Sequence, residues 1–319
     1  MKKFLYLFGF FIIIFAPFLG DTNITYKDVF NSNTTSYTIF WDLRVPRVIL
    51  AFFIGAILSL SGLIFQIIFK NALITPYTLG IASGTTLFTA ISIVFFPSIM
   101  LPISGVLGSF ITIIILYFIS QKINRSSIVV STNSILLVGI ALSFFYSSGL
   151  MMVFYMSDLQ ENYSIVRFTL GSLDVVGFNS TIIVSSIAIF LLLIVLSYKE
   201  KIKLLLISND IAFLKGLNVK KINLILLIVI SLAVGISISF VGPIGFVGLV
   251  IPHIVKLIYK KSAHKLIFPV FFYGGVFLVI ADFISRNLNT ISSLPIGVVT
   301  SFIGAPFFVY LLIRKNQQR

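Results

Sequence analysis

Long stretches without a charged side chain constrain the fold of this sequence more than any other feature. They cover residues 4–20, 48–69, 71–121, 126–157, 175–198, 222–255, 266–281 and 287–313. A helix needs about 20 apolar residues to cross a bilayer, and most of these stretches are long enough. Only 10% of the residues are charged and 58% are hydrophobic, which leaves too little charge to cover a soluble protein of this size. The sequence therefore predicts an all-α, polytopic membrane protein.

Two of the stretches are too long for one crossing. Residues 71–121 are broken by Pro97 and Pro102 and are predicted to hold two helices. Residues 222–255 are interrupted at Gly242-Pro243, and lysines flank both ends. Because both flanks are expected on one side of the membrane, this stretch must cross twice. The N-terminal stretch lacks a convincing signal-peptide cleavage site and is counted as a span. The prediction is about ten spans in one transmembrane domain, residues 1–319.

The distribution of lysine and arginine predicts the orientation. With a cytoplasmic N-terminus, five cationic residues fall outside, which leaves 18 of the 23 inside. The five are Lys27, Arg44, Arg47, Arg167 and Arg286. Both termini are therefore predicted to be cytoplasmic. An outside arginine either anchors a helix end by reaching the headgroups or has a function there, and composition leaves both interpretations open.

Residues that carry chemistry are scarce. The chain has two histidines, no cysteine and no Gly-Lys-Ser/Thr sequence, which argues against a metal site, a nucleophilic enzyme or ATP hydrolysis by this chain. Asp282 is the one acidic residue close to the hydrophobic zone, and Arg286 four residues later predicts a local ion pair. A proton-coupled carrier ordinarily keeps ionisable residues at mid-membrane, so a stand-alone secondary transporter is disfavoured. The net charge of +14 reflects lysines at membrane boundaries, and no nucleic acid is expected.

Three segments interrupt the plain helical pattern. They read KNALITP (70–76), FVGPIGFVGLVIPH (240–253) and LPIGVVTSFIGAPFF (294–308). We expect Pro76 and Pro295 each to open a helix, and Asn71 to satisfy free backbone groups. Tight helix packing is the simplest interpretation of each segment alone. Together the three favour a bundle built around a path.

The longest loop predicted on the cytoplasmic side is 199–221. Its middle, Ser208-Asn209-Asp210 followed by IAFLKGLNV, predicts a capped short helix that ends at Gly216. The helix carries apolar residues although the loop should face water. Such a helix lies on the membrane or docks into a groove of a partner protein, and the residues alone do not decide between these.

Taken together, the segments resemble the FecCD-type permeases, the membrane subunits of bacterial ABC importers for ferric siderophores, haem and cobalamin. The matching motifs follow the family's order over most of the chain. They are RVPR (44–47), GAILSLSGLIFQ, KNALITPYTLGIASG, STNSILLVGIAL (131–142), FTLGSLD (168–174), NDIAFLKGLNV, FVGPIGFVGLVIPH and LPIGVVTSFIGAPFFVYLL. The resemblance implies a type II ABC importer permease fold in the bacterial inner (plasma) membrane. It implies no enzymatic activity, no cofactor and no resident metal.

The resemblance also implies partners and site residues. The partners are two ABC ATPase subunits, a periplasmic or lipoprotein substrate-binding protein, a second permease copy or paralogue, and membrane lipid. Arg44, Arg47 and Arg286 match the arginines that receive glutamates of the binding protein. The ATPase-coupling residues implied are Asn209, Asp210, Ile211, Ala212, Leu214, Gly216, Leu217 and Asn218. The gate and pathway residues implied are Asn71, Leu73, Ser131 and Thr132. The substrate expected is a ferric siderophore, with haem or cobalamin as alternatives.

Overall fold

The computed structural model describes residues 2–20, 28–30, 34–97, 100–123, 132–288 and 294–316. All regular secondary structure in these residues is helical. The helices are α1 (Lys2–Phe15), α2 (Thr35–Thr38), α3 (Val45–Ile68), α4 (Ile81–Phe95), α5 (Leu101–Ile123), α6 (Thr132–Met156), α7 (Leu159–Leu170), α8 (Asn179–Ser197), α9 (Lys199–Ile207), α10 (Asn209–Leu214), α11 (Val219–Val241), α12 (Val247–Tyr259), α13 (Ile267–Asn287) and α14 (Ile296–Asn316).

The predicted division into membrane spans is confirmed in outline. Of the described helices, six are long and apolar enough to cross a membrane. Four shorter apolar helices accompany them, at Phe4–Phe18, Ile81–Phe95, Val247–Tyr259 and Ile296–Tyr310. Each stretch predicted to cross twice contains two helices, α4 with α5 and α11 with α12. The expectation that Pro76 opens a helix is wrong, because α4 begins at Ile81 after a left-handed Gly80; α14 does begin directly after Pro295.

Helix α3 lies at the centre of the bundle and contacts α8, α11, α12 and α13. Thr35–Ile68 is one continuous helical stretch that ends with α3, and 83% of its most apolar 18-residue segment is buried. The corresponding fraction in α6 is 17%. Glycines permit this central position. A Cβ added at Gly55 would lie 2.3 Å from the Gly274 carbonyl oxygen, and one at Gly62 would lie 1.8 Å from that of Gly248. The backbones of α3, α12 and α13 therefore touch directly, while α6 lies at the surface of the chain.

Helix α11 separates two ends of the bundle. Its 23 residues span about 33 Å at a rise of about 1.5 Å per residue, close to the hydrocarbon thickness of a bilayer. At its C-terminal end, the Val241 carbonyl accepts a hydrogen bond from the Ser172 N–H at 2.8 Å. We call this end the arginine end, defined by Arg44, Arg47, Arg167, Asp174, Asp282 and Arg286. The other is the α10 end, defined by α9, α10 and the turn Ala263–Lys265.

Candidate functional site

The RVPR sequence lies inside a helix at the arginine end. Pro46 has no N–H, so the Asp42 carbonyl one turn earlier lacks its usual helical donor. Residues Ile39–Arg44 widen into a π-helical stretch, and the Asp42 carbonyl accepts from the Gly177 N–H at 2.8 Å. The proline thus ties the segment before α8 to the start of α3. It also fixes the backbone from which Arg44 and Arg47 project.

Arg47 bridges two carboxylates that are far apart in sequence. Its Nε donates to Oδ1 of Asp282 at 2.8 Å, and its Nη1 pairs with Oδ1 of Asp174. The Asp282 side chain is fully buried, so it needs this charge-assisted pairing. Arg286 reaches the other oxygen of Asp282, with Nε and Oδ2 3.0 Å apart. The local ion pair predicted from the four-residue spacing is confirmed, and Arg47 joins it.

Two of the arginines also hold the turn that follows α1. Nη1 of Arg44 donates to the Pro17 carbonyl at 3.1 Å, and Nη1 of Arg286 donates to that of Leu19 at 3.4 Å. A Cβ at Gly20 would lie 2.7 Å from Nη2 of Arg44, so the guanidinium packs against the backbone there. Cations stabilise the carbonyl end of a helix. The fold brings Arg44, Arg47 and Arg286 together at one end, each no more than 14% exposed.

Arg167 and Asp174 belong to the same cluster, and the sequence reasoning missed their pairing. Nη2 of Arg167 lies 3.0 Å from Oδ2 of Asp174. The Arg167 side chain is 58% exposed, and α7 carries it in its last turn. A capping box of Asp158 and Glu161 begins α7. The Asp-x-x-Glu spacing was the available signal for this helix.

The environment of Asp174 keeps its carboxyl ionised. Burial alone raises the pKa of this group. The Ser172 hydroxyl, which donates to Oδ2 at 2.6 Å, and the guanidiniums of Arg47 and Arg167 outweigh burial, and the net effect lowers the pKa below its usual value of 3.8. The four guanidiniums and two carboxylates of this cluster sum to a charge of +2.

The opposite end carries the predicted short helix. Helix α10 begins after Ser208, whose Oγ accepts from the Asp210 N–H at 3.1 Å, and the chain turns at Gly216 with a φ of +78°. Both predicted caps are therefore present. Ala212 is buried, whereas Phe213 and Leu214 are exposed, Leu214 by 82%. The predicted coupling residues lie in or directly after α10: Asn209, Asp210, Ile211, Ala212, Leu214, Gly216, Leu217 and Asn218.

The predicted gate residues are described only in part. Asn71 follows α3 and accepts from the Leu73 N–H through Oδ1 at 2.9 Å, as expected of a residue that satisfies free backbone groups. Leu73 is exposed. Ser131 lies outside the described residues. Thr132 is the first residue of α6, and its side chain is likewise outside the description.

In the described part of the chain, no group of three or more His, Cys, Asp or Glu side chains is placed to hold a metal ion. His253 instead contacts the Leu249 carbonyl of its own helix at 2.9 Å. His264 is buried in the turn after α12.

Known proteins resemble this chain over nearly its whole length. The ABC transporter permease protein YvrB of Bacillus subtilis, itself uncharacterized, is 32% identical over 90% of this chain and 82% of its own. The hemin transport system permease protein HmuU of Yersinia pestis is 29% identical over 94% of this chain and 91% of its own. An inward-facing metal-chelate type ABC transporter has a structure that superposes with a TM-score of 0.85 at 24% identity, over 98% of this chain and 100% of that one. The FecCD transport family model matches residues 7–314. The chain therefore belongs to the FecCD transport family, as the transmembrane permease of an ABC importer.

Proposed function

We propose that this permease moves a ferric siderophore across a bacterial plasma membrane, takes it from a substrate-binding protein and uses the ATP hydrolysed by separate subunits. One observation carries the proposal. Two unlike surfaces, a cationic cluster and an exposed apolar helix, lie at opposite ends of a bundle about 33 Å long. Charged residues in the described spans stay near helix ends, so the bundle offers no ion relay at mid-membrane. Energy must then enter from a partner.

The arginine end is the docking surface for the binding protein. Arg44, Arg47 and Arg286 receive its acidic side chains, because a guanidinium fork binds a carboxylate bidentately and stays charged. Their internal contacts hold the forks in place before the partner arrives, which reduces the entropy lost on docking. Orientation follows: this end faces outward, and both termini are cytoplasmic.

The α10 end is the coupling surface for two ATPase subunits. Phe213 and Leu214 project from a short capped helix, which suits a groove on a partner protein. Closure of the ATPases on ATP pushes α10, and the push reaches α11 through the turn at Gly216 and the cap that Asn218 forms on the Lys221 N–H at 3.0 Å. Asn71, Leu73, Ser131 and Thr132 then act near the inner gate.

A second permease copy or paralogue covers the exposed flank of this chain. Helix α6 carries exposed large apolar side chains along its length, including Phe144, Phe145, Met151 and Met152. The substrate path runs between the two copies. Haem and cobalamin are the alternative substrates. Haem is included among the substrates to be tested because the Yersinia pestis relative belongs to a hemin transport system.

Leu214→Glu tests the coupling role. We expect it to abolish uptake of a radiolabelled ferric siderophore and co-purification of the ATPase, because a buried, unpaired carboxylate would replace an apolar contact. The permease itself should still assemble, since Leu214 contacts water in the isolated chain. The matched control is Leu159→Glu, an equally exposed leucine at the start of α7, and its readout is co-purification of the ATPase, because a carboxylate near the proposed docking surface can itself lower uptake.

Normal ATP-dependent uptake by Leu214→Glu would contradict the coupling role. Uptake by the wild-type permease without any ATPase would favour a stand-alone carrier instead. Competition by unlabelled haemin, cobalamin and ferric siderophore in the same assay identifies the substrate class.

A further inference from the structure

A cavity of about 300 Å³ opens beside the ion-pair cluster at the arginine end. Its walls come from the last turns of α7, the segment after it, and the chain that enters α14. Its polar lining includes Arg47, Arg167, Ser172 and Asp174. The volume is at the lower limit of small-ligand pockets, and it is large for a single amino-acid side chain.

Two guanidiniums and one carboxylate meet in this cavity. Arg47 is nearly covered, Arg167 is mostly exposed, and Asp174 contacts both, with 35% of its side chain exposed. Each oxygen of Asp174 thus faces a different arginine. Arg167 donates through Nη2 alone, and in the described part of the chain its other guanidinium nitrogens carry no hydrogen bond. The geometry is that of a carboxylate receptor with a carboxylate of the chain itself inside it.

The backbone around Asp174 is anchored, whereas its carboxylate is held only by the side chains of Arg47, Arg167 and Ser172. Hydrogen bonds from the Ser172 N–H to the Val241 carbonyl and from the Gly177 N–H to the Asp42 carbonyl anchor the segment on both sides. Rotation of one side chain would free both guanidiniums without any movement of helices. Arg47 would keep its second partner, Asp282, so the buried part of the network would survive the exchange.

We propose that Arg47 and Arg167 form a receptor for one acidic side chain of the substrate-binding protein, and that Asp174 occupies this receptor until the binding protein docks. The inference rests on the proposed function and adds two residues to it. Arg167 is a docking residue on the rim, and Asp174 is a built-in competitor. Docking therefore exchanges one carboxylate for another, which keeps the binding protein's affinity moderate and allows its release.

Removal of the competitor should strengthen docking. The experiment titrates the labelled substrate-binding protein of the same transport system onto the permease–ATPase complex in nanodiscs, and measures Kd. We expect Asp174→Asn to lower Kd about fivefold and Arg167→Gln to raise it about fivefold, the scale of one exposed charge pair. Glu161→Gln is the matched control, because it removes a carboxylate from α7 while a glutamine can still form the capping box. Its Kd should stay within about twofold of wild type.

Several outcomes overturn the proposal. An unchanged or higher Kd in Asp174→Asn would make Asp174 a structural brace, and a changed uptake with an unchanged Kd would assign the cavity to the substrate. If Arg47→Gln abolishes docking while Arg167→Gln leaves Kd unchanged, the proposed function stands and this inference fails. If the wild-type complex does not bind the protein at all, the proposed function itself fails. Equal monodispersity and equal ATPase content in all variants show that folding is not the cause.

Discussion

The two ends of this permease present their surfaces by opposite means. At the arginine end, the guanidiniums of Arg44, Arg47 and Arg286 are mostly covered and bound to carboxylates or carbonyls. At the α10 end, Phe213 and Leu214 project into open space from a helix of six residues. Charges need internal partners to be held in a defined geometry, whereas apolar side chains need only a short, capped helix.

This difference predicts different consequences of mutation. Under the proposed docking role, we expect substitution of Arg44, Arg47 or Arg286 to change folding and docking together, because their guanidiniums also make internal contacts. A substitution on the exposed face of α10 should leave folding intact. Three further changes test the contrast, from the largest expected effect to the smallest.

Asp282→Ala should destabilise the permease most. It leaves two guanidiniums facing a buried site without their shared carboxylate, and the loss of one partner from a buried ion pair costs about 3–5 kcal/mol. Unfolding in mixed micelles measures the change. Asp174→Ala is the matched control at about 0–1 kcal/mol, because its pairs are partly exposed. Equal losses of stability in the two variants would show that the buried ion pairs of Asp282 stabilise the fold no more than the partly exposed pairs of Asp174.

Ser208→Ala should loosen α10 alone. Loss of an N-cap costs about 1 kcal/mol, which a helix of six residues with few contacts does not recover elsewhere. Amide hydrogen exchange over 209–214 should accelerate several-fold, while global unfolding stays unchanged. Ser197→Ala is the control, because its hydroxyl bonds within α8 and caps nothing. Unchanged exchange in Ser208→Ala would mean that neighbouring residues, not the cap, hold α10.

Mild acid should affect the α10 end before the arginine end. Burial lowers the pKa of His264 below its usual value of 6.5, and the ammonium groups of Lys265, Lys203 and Lys199 lower it further against the opposing Glu200. The unfolded chain then binds a proton more readily than the folded one. The stability that neutral His264 provides is complete above pH 6.5 and is lost as the pH falls through its lowered pKa.

The arginine end should resist this range of pH. The pKa of Asp174 is lowered from 3.8, so its ion pairs persist until the pH falls well below that value. The melting temperature of the wild type should therefore fall more between pH 7.5 and pH 5.5 than that of His264→Gln. An equal fall in both proteins would locate the acid sensitivity elsewhere.

Local features of this fold were predictable from the sequence. The charge-free stretches gave the spans, Gly242-Pro243 gave the break between α11 and α12, and Ser208 with Gly216 gave the limits of the α10 turn. Each depends on residues within a few positions of one another, where periodicity and capping act. The Asp282–Arg286 pair was predictable for the same reason, as it spans one helical turn.

The long-range part of the cluster was not predictable in this way. Arg47 meets Asp174 and Asp282 across 127 and 235 positions, and no local pattern marks a contact of that separation. The family resemblance grouped Arg44, Arg47 and Arg286 by role, yet it did not indicate that internal partners already bind them. The error over Pro76 has a local cause, because Gly80 supplies the left-handed turn from which α4 starts.

The contact between Gly62 and Gly248 has a mechanical consequence. No side chain separates α3 from α12 there, so no rotamer can change to absorb a sliding motion. Helices joined in this way move as one rigid body or come apart at a high cost. We therefore expect α3 and α12 to keep their relative position in any conformational change, with relative motion confined to contacts where side chains intervene.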